Sequence, residues 1–174
     1  MVERVSALAG HLDARQWGMI GEAGPGVRLS ERRLASLWQI AAWPDRLAGV
    51  AEAAAEAAGE EAAPAPVASA EGTTGTLFRT EALKWQLAGA RPIAEPALPE
   101  GAGTVLDLSH ARTVIRVEGP ATEALMARLA AVDLRERAFP EGAVAATGMH
   151  HVSVMLHRRA VGNEIHVFRS FAIS

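Results

Sequence analysis

The sequence predicts an α+β protein in which helices pack on antiparallel sheet. Two observations predict this class. One order of elements, an apolar strand followed by a proline, a helix and a hairpin, occurs over residues 34–90 and again over 104–174. The hairpin strands also alternate apolar and polar residues, which is typical of a sheet with one buried face. The two halves share this order rather than their residues, and each is interpreted as a β-α-β-β unit.

The first 33 residues differ from the rest and predict an N-terminal arm. Charged residues interrupt the apolar runs here, and GEAGPG at 21–26 is a cluster of turn-forming residues. Its glycines do not indicate a phosphate-binding loop, because no buried strand precedes them and Pro25 interrupts the approach to a helix. We therefore expect an arm over 1–33 and a single domain over 34–174.

The first half has clear start and stop signals. LASLWQIAAW at 34–43 is an apolar run of strand length, and Pro44 ends it at a position suited to the start of a helix. The alanine-rich segment that follows favours a helix up to Gly59, which can take the left-handed conformation of a helix end. Residues 60–75 predict a loop, TLFRT and LKWQLAG predict a hairpin, and three prolines in 91–103 predict a linker.

The second half repeats the order with different residues. VLDLSHARTVIRVE at 105–118 predicts an extended segment, and Gly119 with Pro120 opens a helix over ATEALMARLAAV. FPEG at 139–142 predicts a turn, and HHVSVMLHR with NEIHVFRS predicts the last hairpin.

The polar residues of 105–118 pose the question of a reaction centre. Ser109 and His110 are neighbours and point to opposite faces of a strand, so they do not form a nucleophile–base pair. Arg112 and Arg116 share a face but lie roughly 13 Å apart at strand rise, too far to hold one carboxylate. The pattern favours a solvated or partner-facing surface. The candidate interface residues are Arg112, Val114, Arg116, His166 and Phe168.

Composition excludes several classes of protein. The 174 residues contain no cysteine, which excludes disulfides, cysteine-based zinc sites, iron–sulfur clusters and thiol catalysis. A net charge of −3 gives no electrostatic reason to expect nucleic acid or an anionic membrane surface. No apolar run approaches the roughly 18 residues that span a bilayer. We expect a cytoplasmic protein whose partner is a protein or a small molecule.

The histidines raise the possibility of a metal site, which their spacing disfavours. His150 and His151 point to opposite faces, and His151 lies roughly 20 Å along the strand from His157. His157 and His166 can approach each other across the last hairpin, but no carboxylate pair completes a ligand set. We therefore predict no metal, no cofactor and no catalytic residue in this chain.

Three segments, in this order, resemble a known family. DLSHARTVIRVEGPATEALMARLAAVDL, AFPEGAVAATGMHHVSVML and EIHVFRSFA, covering about residues 104–172, resemble the gamma subunit of heterotetrameric sarcosine oxidase, and LSERRLASLWQIAAWP adds a weaker match. The stretch also resembles the folate-binding domain of aminomethyltransferases, at Asp107 to His110 and at Gly119 to Thr122. The resemblance implies an aminomethyltransferase-like fold of two ferredoxin-like β-α-β-β halves.

The resemblance also implies a function. It implies a non-catalytic gamma subunit that contributes assembly contacts to an oxidoreductase acting on CH–NH donors with oxygen. Such a complex oxidatively demethylates sarcosine to glycine, with hydrogen peroxide and with formaldehyde or methylene-tetrahydrofolate. FAD, FMN, NAD, tetrahydrofolate and zinc then belong to the alpha, beta and delta partner subunits.

One departure from the aminomethyltransferase pattern bears on folate. Those enzymes place an acidic pair near the second strand, whereas here no Asp or Glu lies between Glu141 and Glu164. The alternatives are a stand-alone folate-binding or aminomethyltransferase-like protein, and a structural domain that self-associates through an exposed sheet edge or its tryptophans.

Overall fold

The chain has a mixed α/β fold with two antiparallel sheets and few helices. The structure is a computed structural model, and it describes residues 5–12, 15–21 and 24–173. Two compact units are present. The continuous unit is Leu34–His110, and the discontinuous unit combines the residues up to Arg33 with those from Ala111 onward.

The elements follow one another in a simple order. They are β1 (Arg15–Gly21), β2 (Gly24–Arg32), β3 (Ser36–Ala42), a 3-10 helix (Pro44–Arg46), α1 (Leu47–Ala58), β4 (Ser69–Glu71), β5 (Thr76–Glu81), β6 (Lys84–Gly89), β7 (Gly103–Asp107), β8 (Arg112–Glu118), α2 (Thr122–Leu129), β9 (Val144–Met149), β10 (Val152–Arg158), β11 (Asn163–Phe168) and a second 3-10 helix (Arg169–Phe171). The five-stranded sheet has the order β4-β5-β6-β3-β7, and the six-stranded sheet has the order β1-β2-β8-β11-β10-β9. Each sheet therefore lies within one unit.

The continuous unit follows its sequence signals. Pro44 ends β3 and opens the helical segment, and Gly59 ends α1 in the left-handed conformation with φ 75°. Val50 and Ala54 of α1 are fully buried in one core with Ile40 and the other apolar side chains of the sheet. Full burial of each large apolar side chain contributes about 1.5–3 kcal/mol, so this face holds the helix on the sheet.

The predicted loop over 60–75 is wrong in its middle. Ser69–Glu71 forms β4 and pairs with β5, with Ser69 opposite Phe78. Three small or polar residues are too few to show a period of two, so the sequence carried no strand signal here. The predicted hairpin that follows is confirmed as β5 and β6.

The discontinuous unit holds the second core. One face of its sheet packs beneath Met126 of α2, and the buried side chains of this face include Val117, Leu156 and Ile165. The predicted last hairpin is confirmed as β10 and β11. β9 was not predicted, because VAATGM is made mostly of small residues and lacks apolar alternation.

The predicted N-terminal arm is not what the structure shows. Within residues 15–32 the chain forms β1 and β2, and β2 pairs with β8 through Arg28 opposite Glu118 and Arg32 opposite Val114. The alternation of buried Val27 with exposed Arg28 was the available signal, obscured by the neighbouring glycines and charges. Glu22 and Ala23 of the predicted turn cluster lie outside the described residues.

The boundaries of the units also differ from the predicted organisation. The predicted boundary after residue 33 coincides with the start of the continuous unit, but the predicted single domain over 34–174 is divided again at His110. The extended segment predicted over 105–118 is two strands, β7 in one sheet and β8 in the other. The halves predicted over 34–90 and 104–174 therefore do not match the two units.

Candidate functional site

One face of the six-stranded sheet gathers polar and charged side chains. Directly opposed residues of antiparallel strands share a face. Glu164 of β11 lies opposite both Arg116 of β8 and His157 of β10. His166 and Arg32 both lie opposite Val114. The register thus brings Arg32, Arg116, His157, Glu164 and His166 to one face; we call these five residues the Glu164 cluster.

Glu164 is the centre of this cluster. Its side chain is fully buried, with 0% exposure. Arg32 Nη1 donates to Oε2 at 2.8 Å, and Arg116 Nε donates to Oε1 at 2.9 Å. His157 Nδ1 and His166 Nε2 lie 3.6 and 3.8 Å from Oε2. Each carboxylate oxygen therefore has an arginine donor, and both imidazole rings lie beside one oxygen.

The environment keeps Glu164 ionised. Burial alone would raise the pKa of its carboxyl group, but the nearby His157 and His166 rings and the Arg32 and Arg116 guanidinium groups hold that pKa well below its usual range. Burial also lowers the pKa of His166, against the opposing effect of the Glu164 charge. Near neutral pH the cluster therefore combines an ionised carboxylate, two guanidinium groups and an uncharged His166.

This geometry is suited to structure rather than to reaction. The carboxylate is inaccessible to solvent and bonded to two arginines, so it is not poised to take a proton from a substrate. A small polar cavity of about 170 Å³ adjoins the cluster on the Arg116 side, with Glu118 and Arg159 among its lining. No serine or threonine lines this cavity, so it offers no hydroxyl nucleophile.

The Glu164 cluster does not form a metal site. Its carboxylate oxygens already accept bonds from Arg32 and Arg116, whose positive charges oppose a cation. Across residues 5–12, 15–21 and 24–173, no group of three or more His, Asp or Glu side chains is arranged to hold a metal ion. His150 and His151 are exposed in the turn between β9 and β10. That the purified chain carries no metal stays a prediction.

The structure brings the five candidate interface residues together on one face. Arg112 lies opposite Phe168, and Val114 lies opposite His166. Val114 and His166 are nevertheless buried within this chain, at 1% and 0% exposure, so Val114 is not solvated and neither side chain lies open at the surface of the isolated chain. Arg116 is engaged by Glu164 and remains partly exposed. Only the opposite face was expected to be buried, but here the middle of the polar face is buried as well.

Arg112 and Phe168 remain as a surface pair. The Arg112 guanidinium carbon lies 3.6 Å from the centroid of the Phe168 ring, which is a cation–π contact. The Phe168 side chain is 40% exposed. Burial lowers the pKa of Arg112, which still leaves a cation at neutral pH. Among the described residues, Arg112 has no carboxylate within ion-pair distance.

The segment DLSH forms a turn and not a catalytic centre. Asp107 Oδ1 accepts the Ser109 N–H at 2.8 Å, which closes an Asx turn after β7. The buried Ser109 Oγ accepts the Leu37 N–H at 3.0 Å. The absence of a Ser109–His110 catalytic pair follows from this arrangement, because Ser109 is buried as a backbone partner and His110 is exposed.

Sequence reasoning missed Glu164 as a functional position. The signal was present in NEIHVF, where Glu164 and His166 alternate with the apolar Ile165 and Val167 on a strand. A carboxylate and an imidazole two residues apart lie on the same face and need polar partners when that face is buried. Their partners come from β2, β8 and β10, which the sequence does not identify.

The fold and the site define a class: a mixed α/β protein of two antiparallel sheets, the six-stranded one of which carries a buried charged cluster on one face. No family model matches the chain, and no curated protein matches it. Among solved structures, it is similar to a chain of the heterotetrameric sarcosine oxidase from Corynebacterium sp. U-96 in complex with pyrrole 2-carboxylate. The two share 26% identity with a TM-score of 0.78, and the match covers 97% of this chain and 88% of that chain.

This similarity confirms the resemblance to heterotetrameric sarcosine oxidase that the segments between 104 and 172 indicate. It also extends that resemblance, because nearly the whole chain is matched and not only its second half. No helix among the described residues is long and apolar enough to span a membrane.

Proposed function

We propose that this chain is a non-catalytic gamma-type subunit of a sarcosine oxidase complex. The observation that carries the proposal is the structural match, which covers 97% of this chain and 88% of the matched chain of a heterotetramer. A match of that extent favours a counterpart of a whole subunit over a shared fragment. The role of the chain is then to contribute contact area and orientation to its alpha, beta and delta partners.

The reaction of the proposed complex takes place in the partner subunits. It is the oxidative demethylation of sarcosine to glycine, with hydrogen peroxide and with formaldehyde or methylene-tetrahydrofolate as the other products. FAD, FMN, NAD, tetrahydrofolate and zinc are proposed to bind those partners. The closed Glu164 cluster supports this division, because its carboxylate is buried and bonded to Arg32 and Arg116.

We propose that the chain has the fold of an aminomethyltransferase folate-binding domain. Two series of strand, helix and three antiparallel strands support it, β3-α1-β4-β5-β6 in the continuous unit and β8-α2-β9-β10-β11 in the discontinuous unit. The cavity at the β9–β10 turn does not suit folate itself. The cavity at the β9–β10 turn is lined by His150, His151 and small or uncharged residues, with no carboxylate to bind a pterin ring.

Phe168 and Arg112 are the proposed centre of an assembly surface. Phe171 and Ile173 continue the same end of the chain and are 48% and 60% exposed. Exposed aromatic side chains beside an arginine are the residue types enriched at protein interfaces. We expect this surface to receive an apolar patch with a carboxylate that pairs with Arg112.

Co-purification tests the proposed function. The chain carries an affinity tag and is expressed in its native host, and the retained proteins are identified. We expect the wild type to retain two flavoprotein-sized subunits in fixed stoichiometry. The Phe168→Ala variant should retain smaller amounts of both. A tagged chain that elutes alone, with sarcosine oxidase activity present in the unbound fraction, would contradict it.

A further inference from the structure

The continuous unit has one five-residue sheet edge that is partly exposed and bordered by a groove. Its sheet ends at β7 on one side and at β4, which has only three residues, on the other. In the discontinuous unit the β9 edge is partly covered, because Met149 forms a bridge with Ala130. Unpaired strand edges are templates for the addition of another strand, so the β7 edge is the candidate to examine.

The register fixes which backbone groups of β7 face outward. Trp43 N–H bonds the Ala102 carbonyl at 3.0 Å, and Leu108 N–H bonds the Leu37 carbonyl at 2.7 Å. Bonded pairs alternate along antiparallel strands. The residues that bond β3 are therefore the even-numbered ones, and Gly103 and Val105 direct their N–H and C=O groups away from it. Among the described residues, neither outward N–H has an acceptor.

A groove follows this edge. It is open, has a volume of about 620 Å³, and lies between β7 and the proline-rich segment over residues 95–101. Its lining includes Glu95 and Glu100 and contains no Lys, Arg or His. Leu106 on the same strand is 52% exposed. The edge therefore offers unpaired backbone groups, an exposed apolar side chain and an acidic border.

We propose that β7 receives an extended segment of a partner subunit as an added strand. The segment carries Lys or Arg side chains toward Glu95 and Glu100 and an apolar side chain against Leu106. Main-chain bonds to Gly103 and Val105 supply part of the affinity, and the flanking side chains supply the specificity. The inference rests on the proposed function, since it takes the partner from the same complex.

Val105→Pro tests the outward hydrogen bond. Proline removes the N–H that points to the partner and spares the bonds between β7 and β3, which is the setting in which an edge strand tolerates proline. Val105→Ala retains the N–H and is the matched control. We expect V105P to weaken assembly with the other subunits at least about tenfold, and V105A to remain within about threefold of wild type. Thermal unfolding of each variant checks that the fold is kept.

A second variant keeps the test decisive if V105P does not fold. Glu95 and Glu100 are exposed, so E95K/E100K should fold as the wild type does. We expect it to associate more slowly with the basic segment, at a rate that no longer falls as the salt concentration is raised. Unchanged assembly of the folded variants overturns the inference and leaves the proposed function standing.

Two other outcomes identify different failures. If the wild type itself retains no partner subunits, the proposed function fails and the inference fails with it. If the chain alone forms a concentration-dependent dimer that V105P abolishes, the edge pairs with a second copy, and the assignment to a basic partner segment is overturned.

Discussion

Glu164 shows, at the scale of single residues, how a charge is kept inside this sheet. Removing a carboxylate from water costs several kcal/mol, which a buried site must offset with bonds of good geometry. Here Arg32, on β2, donates a hydrogen bond to Oε2, and Arg116, on β8, donates one to Oε1. The cluster thereby joins β2, β8 and β11 by side chains as well as by backbone bonds.

Removing this carboxylate should destabilise the chain strongly. Glu164→Ala leaves the largely buried Arg32 without its partner, and breaking a buried ion pair in this way costs about 3–5 kcal/mol. Urea denaturation measures the change. Asp133→Ala is the control, because Asp133 pairs with Arg135 on the exposed surface and its loss should leave the midpoint unchanged. Equal midpoints for E164A and the wild type would contradict a stabilising role of the cluster.

The cluster also makes the stability of the fold depend on pH, and His166 and Glu164 change it in the same direction. The pKa of His166 lies below its ordinary 6.5, so the unfolded chain takes up a proton that the folded chain excludes. The pKa of Glu164 likewise lies below its ordinary 4.5. Stability is therefore fully present above pH 6.5 and decreases on acidification, first through His166 and then, below pH 4.5, through Glu164.

Thermal unfolding between about pH 8 and pH 4 checks this dependence. We expect the melting temperature of the wild type to fall as the pH is lowered, and His166→Gln to flatten the curve between about pH 7 and pH 5. His110→Gln, at an exposed position, is the control and should follow the wild type. A melting temperature that rises on acidification through this range would contradict the expected loss of stability.

At the scale of elements, local signals located most of the helices and strands. Pro44 and Gly59 mark both ends of the first helical segment because their backbone preferences are strong and local. Pairing was harder to predict. The strand β2 belongs beside β8, about ninety residues along the chain, and nothing local in VRLSERR shows this partner. The short β4 and the small residues of β9 lacked the alternation by which strands are recognised.

Two glycines of the first helix should respond to alanine in opposite ways. Gly59 has φ 75°, and an added Cβ would clash with the Thr73 side chain, so Gly59→Ala should cost more than about 1 kcal/mol. Gly49 lies within α1, and its added Cβ would make only an ordinary contact with Pro99 at 3.7 Å. Gly49→Ala should stabilise by about 0.5–1 kcal/mol. Chemical denaturation measures the free energy of unfolding of both variants. A G59A variant more stable than the wild type would refute the assigned helix end.

At the scale of the whole molecule, the resemblance predicted more than the patterns did. Residue types and spacing led to an α+β class and to the absence of a catalytic pair, but they placed the domain boundary of the second half incorrectly. The Glu164 cluster could not be predicted, because its five members come from four strands whose order the sequence does not state. The candidate surface was predicted in part: Arg112 and Phe168 lie at it, whereas Val114 and His166 are buried.

The isolated chain should not bind tetrahydrofolate tightly. The cavity at the β9–β10 turn contains no carboxylate, and the buried Glu164 carboxylate is already paired with Arg32 and Arg116. Isothermal titration calorimetry should show no binding at micromolar concentrations, since that affinity requires about 8 kcal/mol and a formed pocket. Micromolar or tighter binding would favour the stand-alone folate-binding alternative over the gamma-type subunit.

Oxygen uptake with sarcosine measures whether this chain acts in catalysis only through its partner subunits. It is compared for the chain alone, for the other subunits alone and for the mixture, at equal concentrations. We expect no uptake from the chain alone and more uptake, or more durable uptake, from the mixture than from the other subunits. Sarcosine-dependent uptake by the isolated chain, or partners whose assembly and activity are the same without it, would contradict the account.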